Sequence, residues 1–428
     1  MKVVKGILAG IGILAAVLCA LIILSAVNPN ITKTLSSLVT GNGIPGREEE
    51  TSGQESEPAP DTYEQEEAEG DSFGTEAESE ENFDENTDEG SDASEDVSTD
   101  GTDETAASFG SDEVYDRDFA KGVDDGGRVT GTNGYEAPSE LDIKVPEAVN
   151  GKAGYQPITE RSEALPDAEG GEYTSTLGYG ETGDGLFFDA NLYPYYQMID
   201  PKGQHLYRQI FANATVMNAA FVPIEAVPVS ELKNVVMAVY NDHPELFWLN
   251  TIFTCKYDQN KICAELALEF NMTKDELATA STEFFNTTNT LLTQVEHLGT
   301  PYEKERRLHD ILIDQIEYEK GADKNQSAYS ALVEGKSVCA GYARAYQYLM
   351  QRLGIPCYYC TGYAGTDHAW NIVALDDGYY NVDLTWDDTP GGEYDYFNKT
   401  DGDYAETHVR RDLSVNLPKC EGERYRNL

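Results

Sequence analysis

The alternation of apolar and polar positions is most informative between residues 337 and 386. From Val338 to Leu353, apolar side chains recur every three or four residues, which predicts a helix with one buried face. Ser337 is a suitable N-cap for this helix, and Gly354 followed by Pro356 is typical of a helix end. The pattern therefore predicts a helix with defined ends in this part of the chain.

Two stretches rich in β-branched and aromatic residues follow this helix. The first runs from His368 to Leu375 and the second from Tyr379 to Thr385. Asp377-Gly378 between them is a two-residue turn signal, so we expect an antiparallel hairpin. Shorter strands are expected at residues 357–362 and 396–398.

Upstream of the helix predicted from Val338 to Leu353, capping signals and periodic apolar residues predict a mainly helical region that begins near Leu192. The expected elements are a helix capped by Asp200-Pro201, a helix from Ser230 to Tyr240, a hairpin of residues 246–257 and 262–270, helices with capping boxes at Thr273 and Thr300, and a short helix over residues 327–334. Helices first and antiparallel strands last indicate an α+β domain.

The N-terminus carries a long apolar run. Residues 6–27 contain no charge, and as a helix they would span about 33 Å, enough for the hydrocarbon core of a membrane. Lys2 and Lys5 precede the run, which predicts that residues 1–5 stay in the cytoplasm and that the C-terminal domain lies outside it. We expect an uncleaved transmembrane anchor rather than a signal peptide, because the run is long and lacks a clear cleavage site.

Composition changes sharply after this run. Residues 48–118 hold 29 acidic side chains and a single basic one, Arg117. Such a segment cannot bury a core, and glycines and turn residues continue beyond it, so we expect a disordered acidic linker over residues 28–185. The linker is interpreted as a stalk; binding of Ca²⁺ or of a basic partner is the alternative. The overall net charge of −47 argues against a nucleic-acid partner.

Three residues in the C-terminal stretch are suited to thiol-based acyl transfer. Cys339 falls in the first turn of the predicted helix, where unpaired backbone N–H groups and the helix dipole favour a thiolate and could hold an oxyanion. His368 opens the first strand of the hairpin and can act as the base, and Asp383 on the second strand can orient the histidine. With the turn at Asp377-Gly378, however, Asp383 pairs opposite Ile372, about 13 Å along the strand from His368. A turn nearer Leu375-Asp376, or a bulge, would bring the two together.

These motifs resemble the transglutaminase-like superfamily, whose core is papain-like. The resemblance rests on a series of short motifs in one order: Ala328-Tyr329, residues 338–343 (VCAGYA), residues 354–357 (GIPC), residues 368–371 (HAWN) and residues 382–388 (VDLTWDD). It covers roughly residues 326–398, and a weaker resemblance to the helical region of membrane-anchored bacterial members begins near Leu192.

The resemblance implies both a fold and an activity. It implies a papain/transglutaminase-like core, with a cysteine helix packed on an antiparallel sheet, as a catalytic domain over residues 301–428, preceded by a helical region with a β-hairpin over residues 190–300. It also assigns nucleophile, base and orienting acid to Cys339, His368 and Asp383. Members act as proteases or as acyltransferases, so the implied reaction is hydrolysis or acyl transfer at peptide or glutamine side-chain amides.

Four further residues are candidates for the substrate groove or the oxyanion site. Gln326 and Tyr329 precede the cysteine and could supply an oxyanion donor, or they could cap and pack the short helix. Trp370 and Trp386 flank the predicted triad, either as walls of the groove or as core side chains. His408 is interpreted as structural.

The remaining cysteines give weaker signals. Cys357 and Cys360 have redox spacing but lie on a predicted strand, so they are interpreted as core residues rather than as a redox or zinc site. Cys255 and Cys263 flank the upstream hairpin turn, and a disulfide between them is an open alternative. We expect no metal and no cofactor.

The sequence leaves three classes of function open. The favoured one is a membrane-anchored extracytoplasmic cysteine enzyme whose partner is a protein or a cell-wall peptide. The second is a non-catalytic cell-surface binding module that retains the fold. The third is a deglycosylating amidase of the same fold, which a zinc site would favour.

Overall fold

The computed structural model describes residues 120–123, 129–166, 175–392 and 394–427. All of them belong to one compact unit, residues 109–428. The predicted anchor at residues 6–27, the residues before it and the acidic stretch at residues 48–118 lie outside the described residues. None of the helices in the described part of the chain is long and apolar enough to cross a membrane.

Helices and strands are interspersed along the described chain. The helices are α1 (Pro194–Met198), α2 (Pro201–Thr215), α3 (Val229–Asp242), α4 (Lys274–Thr293), α5 (Pro301–Gln315), α6 (Cys339–Arg352), α7 (Leu384–Asp387) and α8 (Asp401–Tyr404). The strands are β1 (Ala120–Val123), β2 (Val129–Gly131), β3 (Thr159–Ala164), β4 (Ala220–Phe221), β5 (Leu249–Tyr257), β6 (Cys263–Phe270), β7 (Glu317–Tyr318), β8 (Lys336–Ser337), β9 (Cys357–Tyr363), β10 (Asp367–Leu375), β11 (Gly378–Val382) and β12 (Val409–Arg410). The predicted α+β class is confirmed for these residues.

The upstream half is built on the predicted hairpin. Strands β5 and β6 pair antiparallel and lie inside a four-stranded sheet of order β3-β5-β6-β4. The predicted helix starts are confirmed where a side chain closes the first turn: Asp200 accepts from the Gly203 N–H, and Thr273 and Thr300 each form a capping box. The helix predicted from Ser230 instead begins at Val229, with Pro228 as its N-cap.

Helix α6 is the centre of the downstream half. It packs on β9 and β10 of an antiparallel sheet of order β11-β10-β9-β12. Residues 339–350 of this helix are all buried, polar ones included. Two of its tyrosines donate to main-chain carbonyls: Tyr342 to Ile316 O at 2.7 Å and Tyr346 to Glu305 O at 3.2 Å. The helix is therefore covered on every side, and the single buried face predicted for it was too narrow.

The predicted linker extends too far toward the C-terminus. Within residues 28–185, residues 129–166 and 175–185 are described as folded chain, and β3 pairs in parallel with β5. Tyr135, Val149 and Ile158 are buried, so these residues have a core contact that their glycine-rich neighbourhood concealed. Residues 120–123 of the predicted linker form β1, and its remaining residues lie outside the described part.

Three local predictions are wrong. Ser337 does not cap α6: Val338 is the N-cap, and the Ser337 hydroxyl donates to Asn325 O at 2.6 Å. Residues 396–398 do not form a strand; the neighbouring Lys399 makes only an isolated bridge with Asn381. The second hairpin strand ends at Val382 instead of Thr385, because the chain turns there into α7.

Candidate active site

Cys339 is the first residue of α6 and is buried, with no exposed surface. Its backbone N–H donates to the hydroxyl of Tyr318 on β7. Gly341, in the first turn of α6, lies so close to the preceding chain that a Cβ would fall 1.8 Å from Ser337 Oγ and 2.9 Å from Ser327 O. Its small size therefore serves the packing of the first turn, which fixes where the Cys339 thiol points.

His368 and Asp383 meet because the hairpin turn is one residue earlier than predicted. Leu375 pairs with Gly378, so Asp376 and Asp377 form the turn and Asn371 pairs with Val382. Continuing that register places Asp383 diagonally across from His368 instead of opposite Ile372, within reach of two side chains. The distance between His368 Nε2 and Asp383 Oδ2 is 2.7 Å, and both side chains are 1% exposed.

Asp383 is held by the helix that follows it. It is the N-cap of α7, and its Oδ1 accepts from the backbone N–H groups of Thr385 at 2.9 Å and Trp386 at 3.2 Å. Its second oxygen, Oδ2, is left for the histidine. One carboxylate therefore caps a helix and orients an imidazole at the same time.

His368 joins the other two residues. Nε2 is bound to Asp383, and the ring makes a further hydrogen bond with the Cys339 side chain, which leaves Nδ1 to face the thiol. Burial alone would lower the pKa of His368, but the charges of Asp383 and Cys339 and their hydrogen bonds raise it to about 10. Burial opposes ionisation of Asp383, yet the His368 charge and the hydrogen bonds from two histidines hold its pKa below the usual range. Both neighbouring side chains therefore stabilise the imidazolium form of His368.

The second histidine is His408, which the sequence interpretation took as structural. Its Nε2 lies 3.2 Å from Asp383 Oδ2, and its Nδ1 lies 2.8 Å from Thr407 Oγ1. Burial lowers the pKa of His408 to about 4, although Asp383 favours the charged form. The neutral ring must donate from Nε2, since the carboxylate can only accept, and Nδ1 accepts from the Thr407 hydroxyl. No local pattern around His408 signals this role, because the contact to Asp383 spans 25 residues.

Trp370 and Trp386 surround the two imidazoles. The Trp370 ring lies parallel to His368 at 6.2 Å between centroids, and its Nε1 donates to Asn381 Oδ1. The Trp386 ring centroid is 4.4 Å from that of His408 and 5.8 Å from that of His368. Each tryptophan is 1% exposed, so in this structure both lie against the triad as buried side chains.

The two oxyanion candidates take different places. The Gln326 side chain is turned toward residues 154–156, with its Nε2 2.8 Å from Gly154 O. The Tyr329 hydroxyl donates to Glu283 at 2.6 Å and its ring stacks on Phe247, which directs it away from Cys339. The side-chain hydroxyl that does meet the Cys339 N–H belongs to Tyr318, which the sequence reading did not select.

A second buried pair lies beside the triad. His309 Nε2 is 3.0 Å from Asp387 Oδ2, and neither side chain is exposed. Burial would lower the pKa of His309, but hydrogen bonds to Asp310 and Asp387 raise it. Asp387 belongs to α7 and also accepts from the Tyr396 N–H at 2.8 Å, so the pair fixes the helix that carries the Asp383 cap.

His368, Asp383 and His408 are the one group among the described residues whose ligand atoms lie close enough to hold a metal ion, within 4.8 Å of one another. Two nitrogens and a carboxylate oxygen suit zinc. The same atoms are at hydrogen-bond distance, however, so an ion would have to replace the contacts that orient His368.

Residues 289–384 match the family model of the transglutaminase-like superfamily. That segment includes Cys339, His368 and Asp383. Among curated proteins, none matches the chain.

Two solved structures share local similarity with the chain. A candidate cysteine protease from Cytophaga hutchinsonii is 21% identical with a TM-score of 0.24; the match covers 29% of this chain and 40% of that one. A structure described as a TGase is 13% identical with a TM-score of 0.23; the match covers 39% of this chain and 50% of that one. The chain thus spans half or less of each of these two structures.

Proposed function

We propose that the transglutaminase-like domain of this chain is a cysteine enzyme that acts on peptide or glutamine side-chain amide bonds through a thioester at Cys339. The observation that carries the proposal is the assembly of Cys339, His368 and Asp383 into one hydrogen-bonded chain, with Asp383 fixed by the α7 backbone. Helix capping uses only Oδ1 of Asp383, so the contact of Oδ2 with His368 is more than the cap requires.

The reaction has two halves. The Cys339 thiolate attacks the carbonyl carbon of the amide, and the His368 imidazolium gives its proton to the departing nitrogen as the C–N bond breaks. The product is a thioester together with ammonia or an amine. Neutral His368 then takes a proton from water, for hydrolysis, or from an amine such as lysine, for cross-linking. Collapse of the second tetrahedral adduct releases the acid or the new amide and restores the thiolate–imidazolium pair.

The oxyanion is stabilised at the start of α6. The Cys339 N–H donates to the Tyr318 hydroxyl, which places that phenol beside the nucleophile. Tyr318 is therefore the side-chain donor we assign to the oxyanion, in place of Gln326 or Tyr329. Loss of one such donor typically costs about 10²–10³ in kcat.

The same proposal includes location. The apolar run at residues 6–27 would anchor the protein in a membrane, and the acidic stretch that follows would hold the domain away from the lipid surface. An enzyme anchored outside the cytoplasm would meet proteins or cell-wall peptides, which are the substrates we propose.

The experiment uses the full chain with β-casein as acyl donor, with and without dansylcadaverine as amine acceptor. Release of new peptide termini reports cleavage, ammonia release without amine reports glutamine hydrolysis, and fluorescence in the casein band reports transfer. Cys339→Ala and His368→Ala are expected to abolish every signal. Cys263→Ala, a buried cysteine of the other sheet, is the matched control and should keep them. Full activity in Cys339→Ala would exclude the proposed mechanism.

One observation favours the rival class, a binding module: Cys339 and His368 are both buried. If the protein is a binding module, variants that expose Cys339 would show no casein turnover. If it is an enzyme, those variants would show higher turnover than the wild type.

A further inference from the structure

A segment from the predicted linker lies across Cys339. Residues 151–156, which we call the strap, run beside Val338 and Tyr318 before the chain enters β3. On the N-terminal side of the strap, Val149 packs in a cluster with Trp386 and Ala364, next to the two imidazoles. The strap therefore borders the cysteine side of the triad, and Val149 just before it borders the histidine side.

The strap is held mainly through its backbone. Gln326 Nε2 donates to Gly154 O at 2.8 Å, and Gln326 Oε1 accepts from the Gln156 N–H at 2.9 Å. The Tyr318 hydroxyl donates to Ala153 O at 2.8 Å. One side-chain amide thus pairs with a carbonyl and an N–H two residues apart, as a neighbouring β-strand would. Such contacts do not depend on side-chain identity and would fit other extended peptides.

Gly154 packs against the side chain of Val338, the residue before Cys339. A Cβ on Gly154 would lie 2.9 Å from Val338 Cγ1, and the residue has a φ of +130°, which L side chains rarely adopt. Glycine is needed here because the strap passes against the residue that precedes Cys339.

Lys152 anchors the strap to the other half of the triad. Its Nζ donates to Thr385 O at 2.7 Å and also to Asp388 O, and it lies 5.2 Å from the centre of the Tyr318 ring. Burial lowers the pKa of Lys152, although Asp388 and Asp383 favour its charged form. Thr385 also donates its backbone N–H to Asp383, so the lysine contacts the helix that orients the base.

The cleft continues beyond the strap. A cavity of about 260 Å³ is bordered by Gln156, Gln326 and polar side chains that include Asn250, Asn271 and Lys324. It could receive a further polar residue of a bound peptide on the Gln156 side.

We propose that the cleft formed by Tyr318, Gln326 and Val338 is the acyl-donor site of Cys339, that it binds an extended peptide backbone, and that the strap occupies it as an internal competitor. The inference rests on the proposed function, since it names the substrate class of the same site. In the bound strap, the Ala153 and Gly154 carbonyls accept from Tyr318 and Gln326, and the Cys339 N–H donates to Tyr318, so these contacts place no strap carbonyl on the Cys339 N–H. Turnover would require the strap to leave.

The first test measures the rate of iodoacetamide labelling at Cys339 in the full chain at pH 7.5, by peptide mass spectrometry. Gly154→Val and Lys152→Met are each expected to raise the rate at least tenfold. Gly134→Val is the matched control for the glycine variant, because Gly134 also has a positive φ, of +83°, but has nothing within 4 Å of its Cβ position. Cys360, buried in the sheet, must stay unlabelled, which separates release of the strap from unfolding. If Gly154→Val also makes Cys360 reactive, the labelling rate of Cys339 in Lys152→Met decides whether the strap protects the thiol.

The second test supplies the strap in trans. A synthetic peptide of residues 149–158 (VNGKAGYQPI) should restore protection of Cys339 in the open variant, and a scrambled peptide should not. Unchanged labelling in Lys152→Met, or no protection by the peptide, would overturn the proposal.

The outcomes also separate this inference from the proposed function. Peptide-dependent protection without casein turnover in the open variants would leave the peptide cleft standing and exclude the enzyme. Equal turnover in the wild type and in the open variants would confirm an enzyme and exclude the strap as a competitor.

Discussion

The two carboxylate oxygens of Asp383 have different partners and different roles. Oδ1 accepts from the Thr385 and Trp386 N–H groups and caps α7, whereas Oδ2 accepts from His368 and His408. The cap must survive for the residue to stay in place, so the two duties can be separated by substitution.

Asp383→Asn should keep the cap and lose the catalytic effect. The amide oxygen can still accept from the two N–H groups, but the amide nitrogen would then face His368 Nε2 and favour the neutral ring. A comparable change in a serine-protease triad costs about 10⁴ in kcat. We therefore expect a loss of about 10²–10⁴-fold in casein turnover with little change in melting temperature. Asp383→Ala, which also removes the cap, should lower the melting temperature as well; equal melting temperatures for the two variants would contradict the dual role.

His408 should give the protein an acid-sensitive stability. Its pKa is lowered to about 4 in the fold, while the unfolded chain titrates near 6.5. Between these two values the unfolded state binds more protons, so the free energy of unfolding falls as the pH drops from about 6.5 to 4. His408→Gln, which can still donate to Asp383, should make the melting temperature less dependent on pH over this range.

A stability effect alone would not establish that His408 acts on the triad. His408→Ala removes the donor to Asp383 Oδ2 and should lower kcat with little change in KM, whereas His408→Gln should restore most of the rate. An equal loss in both variants would show that the ring is needed only for packing.

At the level of the elements, the capping signals at Asp200, Thr273 and Thr300 predicted helix starts correctly, whereas those at Ser230 and Ser337 did not, and the predicted hairpin turn was misplaced. The turn signal predicts Gly378 as a turn residue, but Gly378 is the first residue of β11, where a Cβ would lie 3.2 Å from Gly422 Cα. Asp377 occupies the turn and accepts from the Glu423 and Arg424 N–H groups. The register that brings Asp383 to His368 thus depends on contacts with the C-terminal residues, which no local pattern contains.

The first turn of α6 should tolerate no added methyl group. Gly341→Ala would place a Cβ 1.8 Å from Ser337 Oγ, and such overpacking typically costs about 1–3 kcal/mol. Because the same turn carries Cys339, turnover should fall along with the melting temperature. Gly402→Ala in α8 is the matched control, since its nearest neighbour would be 3.6 Å away. Equal effects of the two substitutions, in thermal denaturation and casein assays, would contradict the packing role of Gly341.

On the scale of the whole molecule, the sequence predicted the three catalytic candidates but not the strap that lies beside them. Cys339, His368 and Asp383 lie in a short stretch of recognisable motifs, which identifies them as candidates, although the register that joins His368 to Asp383 depends on the C-terminal residues. The strap lies in a glycine-rich segment whose buried residues, Tyr135, Val149 and Ile158, are too widely spaced to show a period. Its role is apparent only from contacts with Tyr318, Gln326 and Thr385, which are more than 160 residues away.

The proposed location predicts a disulfide in the upstream sheet. The sulfur atoms of Cys255 and Cys263 are 3.1 Å apart and buried, and a small shift would bring them to the bonding distance of about 2.05 Å. In an oxidising space outside the cytoplasm these two should be joined. Peptide mapping without reduction of protein taken from its native membrane would find the linked pair; two free thiols there would contradict the extracytoplasmic location.

The central claim is that Cys339 forms an ion pair with His368. The most direct measurement is the pH dependence of iodoacetamide labelling at Cys339 from pH 4 to 9, in the full chain and in His368→Ala, with each curve normalised to its own plateau. The ion pair predicts that labelling reaches its plateau well below the free-thiol pKa of about 8.5, and that His368→Ala returns the curve to that of an ordinary thiol. Identical curves near pH 8.5 in both proteins would contradict it and would favour a binding module.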